Sequence, residues 1–313
     1  MNYKLGFKIC LSLLVILVVL LLATIIYLAH QDAYCLIKMC GDIYAYFEGM
    51  LTRQLEKTCD PNCIADDVGA EPTLQAIRGN SSESLAQLYF YHDLMSSQDW
   101  SQLPGRLLAE YWYSENDRDQ DPPSVIVFDS EATGTRFIIW RGTQTEAEVA
   151  LDLEIEQVEL EGKGKVHKGF AKLYTELWPD IRDAWVGTDA PDTIIFGHSL
   201  GGAMVNLTTE NLPNVVGVAS AAPRVYDPQS AKQIMETQNN LYALQNQADI
   251  IPQVPLAVMD LGAQGIYQYQ QLTSQLLRNI NVVGETLADC HTTRLYQAAV
   301  LKNISDVISL GSW

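Results

Sequence analysis

Thr193-Ile194-Ile195-Phe196-Gly197-His198-Ser199-Leu200-Gly201-Gly202-Ala203-Met204-Val205 is the stretch on which the reading of this chain turns. A short apolar run enters Gly197-His198-Ser199-Leu200-Gly201, a Gly-x-Ser-x-Gly pattern, and Gly202-Ala203-Met204-Val205 is small enough to open a closely packed helix. Such a strand–turn–helix holds a serine on a sharp bend, with its hydroxyl pointing out of the sheet. Side chains two positions to either side would collide with the packed strand and helix, so glycine suits positions 197 and 201. The five-residue pattern alone arises by chance in about one chain in ten of this length. Its flanks and its partners therefore carry the weight.

Working outward, short apolar runs recur at Ser124 to Phe128, Arg136 to Trp140, Val215 to Ala219 and Leu241 to Leu244. Most are continuous rather than alternating, the pattern of strands buried on both faces. The first two are close enough to pair antiparallel around Ser130 to Gly134. Between later runs lies a helical spacing, as at Phe170, Leu173, Tyr174, Leu177 and Trp178, and Leu85, Leu88, Tyr89, His92 and Met95 give Ser81 to Ser97 a one-sided helical stripe. Alternating strands and helices predict an α/β fold with a mainly parallel central sheet flanked by helices.

A serine activated on such a turn needs a base and an acid, which follow it in the chain with the acid first. Of the five histidines, His30, His92, His167, His198 and His291, only His291 lies well beyond Ser199. His198, as the neighbouring side chain on the bend, points away from the hydroxyl. Asp249 is the expected acid, just past the strand at Leu241 and at the carboxyl edge where α/β sites gather. Asp260 and Asp289 are the alternatives. Acyl chemistry also needs donors for a developing oxyanion. The Leu200 amide, next after the serine, is one, and the Thr143 amide, after the strand that ends at Trp140, is the other.

Composition bounds the alternatives. Of 313 residues 48% are hydrophobic and 19% charged, values of a folded chain rather than a disordered or fibrous one. The net charge is -18; Lys4 and Lys8 precede an apolar stretch, leaving 18 basic residues against 38 acidic beyond it. Such a body is repelled by nucleic acid and anionic headgroups, so neither is an expected partner. The run from Ile9 to Ala29 carries no charge and suits a membrane-crossing helix of about twenty residues. Lys4 and Lys8 on its N-terminal side predict a cytoplasmic N-terminus and an extracytoplasmic body. Cleavage as a signal peptide, giving a secreted protein, is the alternative. The expected organisation is therefore a cytoplasmic N-terminus and anchor over 1–30, a cysteine-containing stem over 31–80 and a catalytic domain over 81–313. Cys35, Cys40, Cys59 and Cys63 in the stem suit disulfides better than a zinc site, with the pairing open, and Cys290 is left over beside His291. Asn80, Asn206 and Asn303 begin glycosylation sequons, of which Asn206 falls on a helix expected to be packed.

In chain order, Trp140-Arg141-Gly142-Thr143, Val166-His167-Lys168-Gly169-Phe170, Gly197 to Ala203, Ala222-Pro223-Arg224-Val225, Asn246 to Pro252 and Cys290-His291 together resemble the class 3 lipase family. The resemblance runs from about Ser81 to the C-terminus and implies an α/β-hydrolase fold. It further implies hydrolysis of lipid carboxylic esters through an acyl-enzyme, with Ser199, Asp249 and His291 as triad and Thr143 and Leu200 at the oxyanion hole. No metal or organic cofactor is implied, and His167 is expected to pack rather than transfer protons. A phospholipase A or diacylglycerol lipase on the same scaffold, or an inactive anchored interaction domain, are the competing readings. One segment departs from the pattern. Where the family carries an apolar lid helix, Gln144 to Lys165 is rich in acids, and the alternation of Leu151, Leu153 and Ile155 predicts a strand-like, solvated cover.

Overall fold

A computed structural model describes residues 65–302, apart from 114–120, 145, 188, 262–264, 273–277 and 281–288. The expected anchor, the four stem cysteines and the sequon at Asn303 lie outside the described residues. Among the described residues no helix is long and apolar enough to cross a membrane.

The chain opens with helices α1 (Leu74–Arg78) and α2 (Ser82–Ser97), then three antiparallel strands, β1 (Gly105–Tyr111), β2 (Val125–Ser130) and β3 (Arg136–Trp140). A short helix α3 (Glu146–Asp152) and a hairpin of β4 (Gln157–Leu160) and β5 (Gly164–His167) lead into the long helix α4 (Lys168–Trp185). Next come β6 (Thr193–His198), α5 (Leu200–Thr208), β7 (Val215–Ser220), α6 (Pro228–Thr237) and β8 (Leu241–Asn246). A second hairpin, β9 (Val258–Asp260) with β10 (Ile266–Gln268), then β11 (Arg278–Ile280) and α7 (Thr293–Lys302) complete the order.

The main sheet runs β1-β2-β3-β6-β7-β8-β11, parallel from β3 onward. The expected α/β architecture with a mainly parallel sheet is therefore what forms. Its strands read as continuous apolar runs because both faces are covered. On β6, Ile195 joins the core with α4, α5 and α6, whereas Ile194 and Phe196 join the core with α1, α2 and α7. Each such side chain, fully withdrawn from water, stabilises the fold by about 1.5–3 kcal/mol.

Three features differ from the sequence expectations. Helix α2 is buried all round from Ser84 to Met95, not along one stripe, because it is enclosed by β3, β6, α1 and α7. Residues expected in the stem, Ala65, Leu74 and Ile77, are buried in that same core. The acidic stretch after Thr143 begins as the helix α3 rather than a strand, and its acids are not simply solvated. Glu148 is buried against Arg141 at 2.9 Å and accepts from the Gln144 amide at 2.8 Å. Glu154 and Glu156 pair with Lys172 and Lys168 of α4, which ties the chain after α3 to that helix. Alternation misled here because Leu151 is buried on the helix while Leu153, just past its end, is 62% exposed.

Candidate active site

Register brings the site together. Trp140 pairs with Gly197, and Gly197 and His198 pair with Ala219 and Ser220, so the carboxyl ends of β3, β6, β7 and β8 share one edge. Ser199 sits there at φ 60° and ψ -125°, a left-handed conformation that costs a non-glycine residue about 1–3 kcal/mol. The bend is imposed by close approach. A Cβ on Gly197 would run into the Gly201 carbonyl, and one on Gly201 into the Trp140 carbonyl. The Ser199 amide donates to the Ser220 carbonyl at 3.0 Å, and the Ala203 amide to the Ser199 carbonyl at 3.1 Å, so the bend enters α5 directly.

The Ser199 hydroxyl lies 2.8 Å from His291 Nε2, and His291 Nδ1 lies 2.6 Å from Asp249 Oδ2. Because Nδ1 faces a carboxylate it carries the proton, which leaves Nε2 as acceptor for the serine hydroxyl. Asp249 is 1% exposed, and each of its oxygens is satisfied. Oδ2 also accepts from the Tyr296 hydroxyl at 2.8 Å, and Oδ1 from the Ile251 amide at 2.9 Å. Tyr296 itself accepts from the Asn246 amide at 2.9 Å; burial, then the Asp249 carboxylate, holds its phenol well above the ordinary range and keeps it a donor. Of the alternative acids, Asp260 is exposed on β9.

Leu200 follows this serine directly, and the loop that leads to Thr143 passes beside it at Gly142. Leu200 is the first residue of α5, and its amide is one of the donors that a helix N-terminus leaves without an intrahelical partner. A methyl placed on Gly142 would lie 3.6 Å from the Ser199 Cβ, so the Trp140-Arg141-Gly142-Thr143 loop runs beside the nucleophile. The Thr143 hydroxyl donates to Asp152 Oδ2 at 2.8 Å, which joins that loop to the end of α3. Burial pushes the Asp152 carboxyl up to about 7, against the lowering effect of the Thr143 hydrogen bond; Glu148 adds to the rise.

The remaining motif residues are supports. Arg224 donates to the Gln253 side chain at 3.0 Å and to the Pro255 carbonyl at 2.7 Å, holding the segment that follows Asp249. His167 Nδ1 accepts from the Phe170 amide at 3.4 Å, its ring stacks on Phe170 at 4.0 Å, and burial lowers its pKa to about 3, so it is a neutral packing group. Cys290 is a buried thiol beside the site, and its carbonyl accepts from the Asn246 amide side chain at 3.2 Å.

His198 has a function that position alone did not reveal. Its Nε2 donates to the carbonyl of His291 at 2.7 Å. Nδ1 must then accept from Ser220 Oγ at 3.1 Å, and Ser220 in turn accepts from the Tyr89 hydroxyl at 2.8 Å. Complete burial keeps His198 well below its ordinary pKa, so it stays neutral and its tautomer stays fixed. Neither this chain of bonds nor the Tyr296 contact has a local signature, since the partners come from elements far apart in sequence. Among the described residues no group of His, Cys, Asp and Glu side chains is placed to hold a metal.

A strained serine on a strand-to-helix bend thus lies in a hydrogen-bonded line with a histidine and a buried carboxylate at the edge of an α/β sheet, the geometry that a nucleophile, a base and an acid require. Residues 137–259 match the family described as Lipase (class 3), so the resemblance read from the motifs holds over the stretch from β3 to β9. A lipase of Rhizomucor miehei is 25% identical over 206 residues; the match covers 58% of this chain and 56% of the relative, little more than half its length. Among solved structures, a triacylglycerol lipase described as having a serine-protease triad at its catalytic centre is 20% identical, over 71% of this chain and 93% of that one, at a TM-score of 0.47. A Rhizomucor miehei lipase–propeptide complex is 18% identical, over 71% and 79% of the two chains, at a TM-score of 0.44.

Proposed function

We propose that this chain is a serine hydrolase that cleaves carboxylic esters of lipids through an acyl-enzyme. The observation that carries the reading is the unbroken line from the Ser199 hydroxyl through His291 to Asp249, at 2.8 and 2.6 Å. In this reading His291 Nε2 takes the Ser199 proton as Oγ attacks the ester carbonyl carbon. The Thr143 and Leu200 amides hold the resulting oxyanion, and Asp249 stabilises the imidazolium. His291 then protonates the departing alcohol oxygen. In the second half, water gives a proton to His291 as its oxygen attacks the acyl carbon; the Ser199 Oγ–carbon bond then breaks, His291 returns the proton to Oγ, and the fatty acid leaves.

The substrate class rests on the family resemblance and on charge. A body at about -20 beyond the first apolar stretch disfavours anionic surfaces and favours neutral lipid esters. We place the catalytic domain outside the cytoplasm, anchored through residues 9–29, on the strength of that uncharged run and the lysines before it.

The test is labelling of the full chain by a fluorophosphonate probe, beside Ser199→Ala and His291→Ala. Labelling of the intact protein and its loss in both folded variants is the expected outcome, with turnover down by about 10⁶-fold. An intact, folded protein that stays unlabelled with and without detergent micelles would falsify the reading.

A further inference from the structure

Asp93 stands outside the line from Ser199 to Asp249, yet its carboxylate is buried and carries three hydrogen bonds. Oδ1 faces His92 Nδ1 at 2.9 Å. Oδ2 accepts both from the Thr293 hydroxyl at 2.7 Å and from the Ala65 amide at 2.8 Å. Thr293 is the first residue of α7 and lies two positions after His291. One carboxylate oxygen thus joins the histidine loop to the first described residues of the chain.

The same two segments are tied a second time. Gln297, one turn along α7, accepts from the Asp66 amide at 2.8 Å and donates to the Asp66 carbonyl at 2.6 Å; its amide nitrogen also donates to the Ala86 carbonyl of α2 at 3.0 Å. Gln87 of α2 accepts from the Val68 amide at 3.0 Å and donates to Asp67 at 2.8 Å. A buried carboxylate is costly unless its donors satisfy it. Apolar side chains could pack α2 against α7, but only a shared acceptor sets the height and rotation of the first turn of α7. That turn carries Thr293 directly, fixes where the segment after His291 enters the helix, and brings Tyr296 to Asp249. His198 holds the His291 carbonyl from the other side.

We propose that Asp93 is a positioning residue for His291, acting through Thr293, and that residues 65–68 form a strap which holds this contact closed. The proposal rests on the hydrolase reading for its effect on turnover, but the coupling itself is measurable without activity. The Thr293 contact needs an acceptor rather than a charge; Asp93→Asn keeps that acceptor with its NH2 turned to His92 Nδ1, which accepts in the other neutral tautomer, whereas Thr293→Val and Asp93→Ala remove the contact.

The experiment measures kcat and KM on a dispersed short-chain p-nitrophenyl ester, with amide hydrogen exchange across the full chain, for all three variants. Thr293→Val is expected to lower kcat about tenfold, the scale of a small misplacement of a catalytic group, with KM unchanged within about twofold. Exchange is expected to quicken over residues 65–68 and 289–297 and to stay unchanged over β6 and α5. Asp93→Asn is expected to keep kcat within about threefold of the parent, and Asp93→Ala to repeat the Thr293→Val pattern more strongly. Wild-type kcat and wild-type exchange in Thr293→Val would overturn the proposal. So would faster exchange spread evenly over the domain, which would mark Asp93 as a general stabiliser. If the parent neither labels nor turns over, the hydrolase reading fails, and the localised exchange response still decides the coupling.

Discussion

The turn that carries Ser199 and the loop that carries His291 meet at 2.8 Å, yet they are held by different forces. The serine turn is shaped by repulsion, Gly197 against the Gly201 carbonyl within the bend and Gly201 against the Trp140 carbonyl of β3, and Ser199 makes no side-chain capping bond. The histidine loop is shaped by attraction between distant elements. Its carbonyl at 291 is held by His198, its ring by Asp249 from beyond β8, and its exit helix by Tyr296 and by Asp93 of α2. A steric turn can be written into a short motif, because the residues that must stay small lie within five positions of one another. A loop set by buried hydrogen bonds needs the whole sheet in place first.

Breaking the steric half has the largest expected effect. Gly201→Val drives a branched carbon into the Trp140 carbonyl, and no rotamer relieves a clash that begins at Cβ. The elbow and its labelling are expected to be lost, with destabilisation of about 3 kcal/mol or more, at the upper end of overpacking costs. Urea unfolding beside fluorophosphonate labelling checks both, and a stable, labelled variant would mean that the turn is not sterically imposed.

The attractive half yields by degrees. Tyr296→Phe removes the donor to Asp249 Oδ2 and leaves the Asn246 amide without its acceptor. The expected cost is about 1–3 kcal/mol, as for a buried polar group left unsatisfied, with kcat down by about tenfold. Steady-state kinetics and a urea melt give the two numbers. Turnover at the parent level would show that Asp249 and His291 hold their geometry without the phenol.

The smallest effect on turnover is expected at Asp152, where the Thr143 loop meets α3. Burial raises its carboxyl from 3.8 to about 7, so the folded state prefers the protonated form. The stability this group contributes is therefore complete below pH ~4 and is lost as the pH rises through ~7. Asp152→Asn stays neutral throughout and still accepts from Thr143. It is expected to melt higher than the parent at pH 8, to match it more closely at pH 5, and to keep kcat within about threefold. Thermal melts at the two pH values check the sign; an equal Tm difference at both would remove the titration from the account.

Read together, these contacts separate what the amino-acid order decided from what packing decided. The order alone located the bend at Ser199, the apolar runs of β2, β3, β6, β7 and β8, and the succession of serine, acid and histidine. The bend and the runs follow from excluded volume and hydrophobic burial, which act locally; the order of acid and histidine is what the resemblance to α/β-hydrolases implies. The amino-acid order also pointed to His291, since no other histidine follows the elbow, and to Asp249, by its place just past the carboxyl end of a strand. Packing decided the rest. The edge strand β1 is only half-buried and carries Arg106 and Glu110, so its pattern is faint. Glu148 and Asp152 look like solvated acids in sequence, yet once α3 folds Glu148 is buried and Asp152 has an oxygen withdrawn from water. Tyr296, His198 and Asp93 acquire their roles from partners 47, 93 and 200 residues away, at Asp249, His291 and Thr293. A hydrogen bond is specific only when both groups are brought together out of water, and it is the tertiary structure that does this.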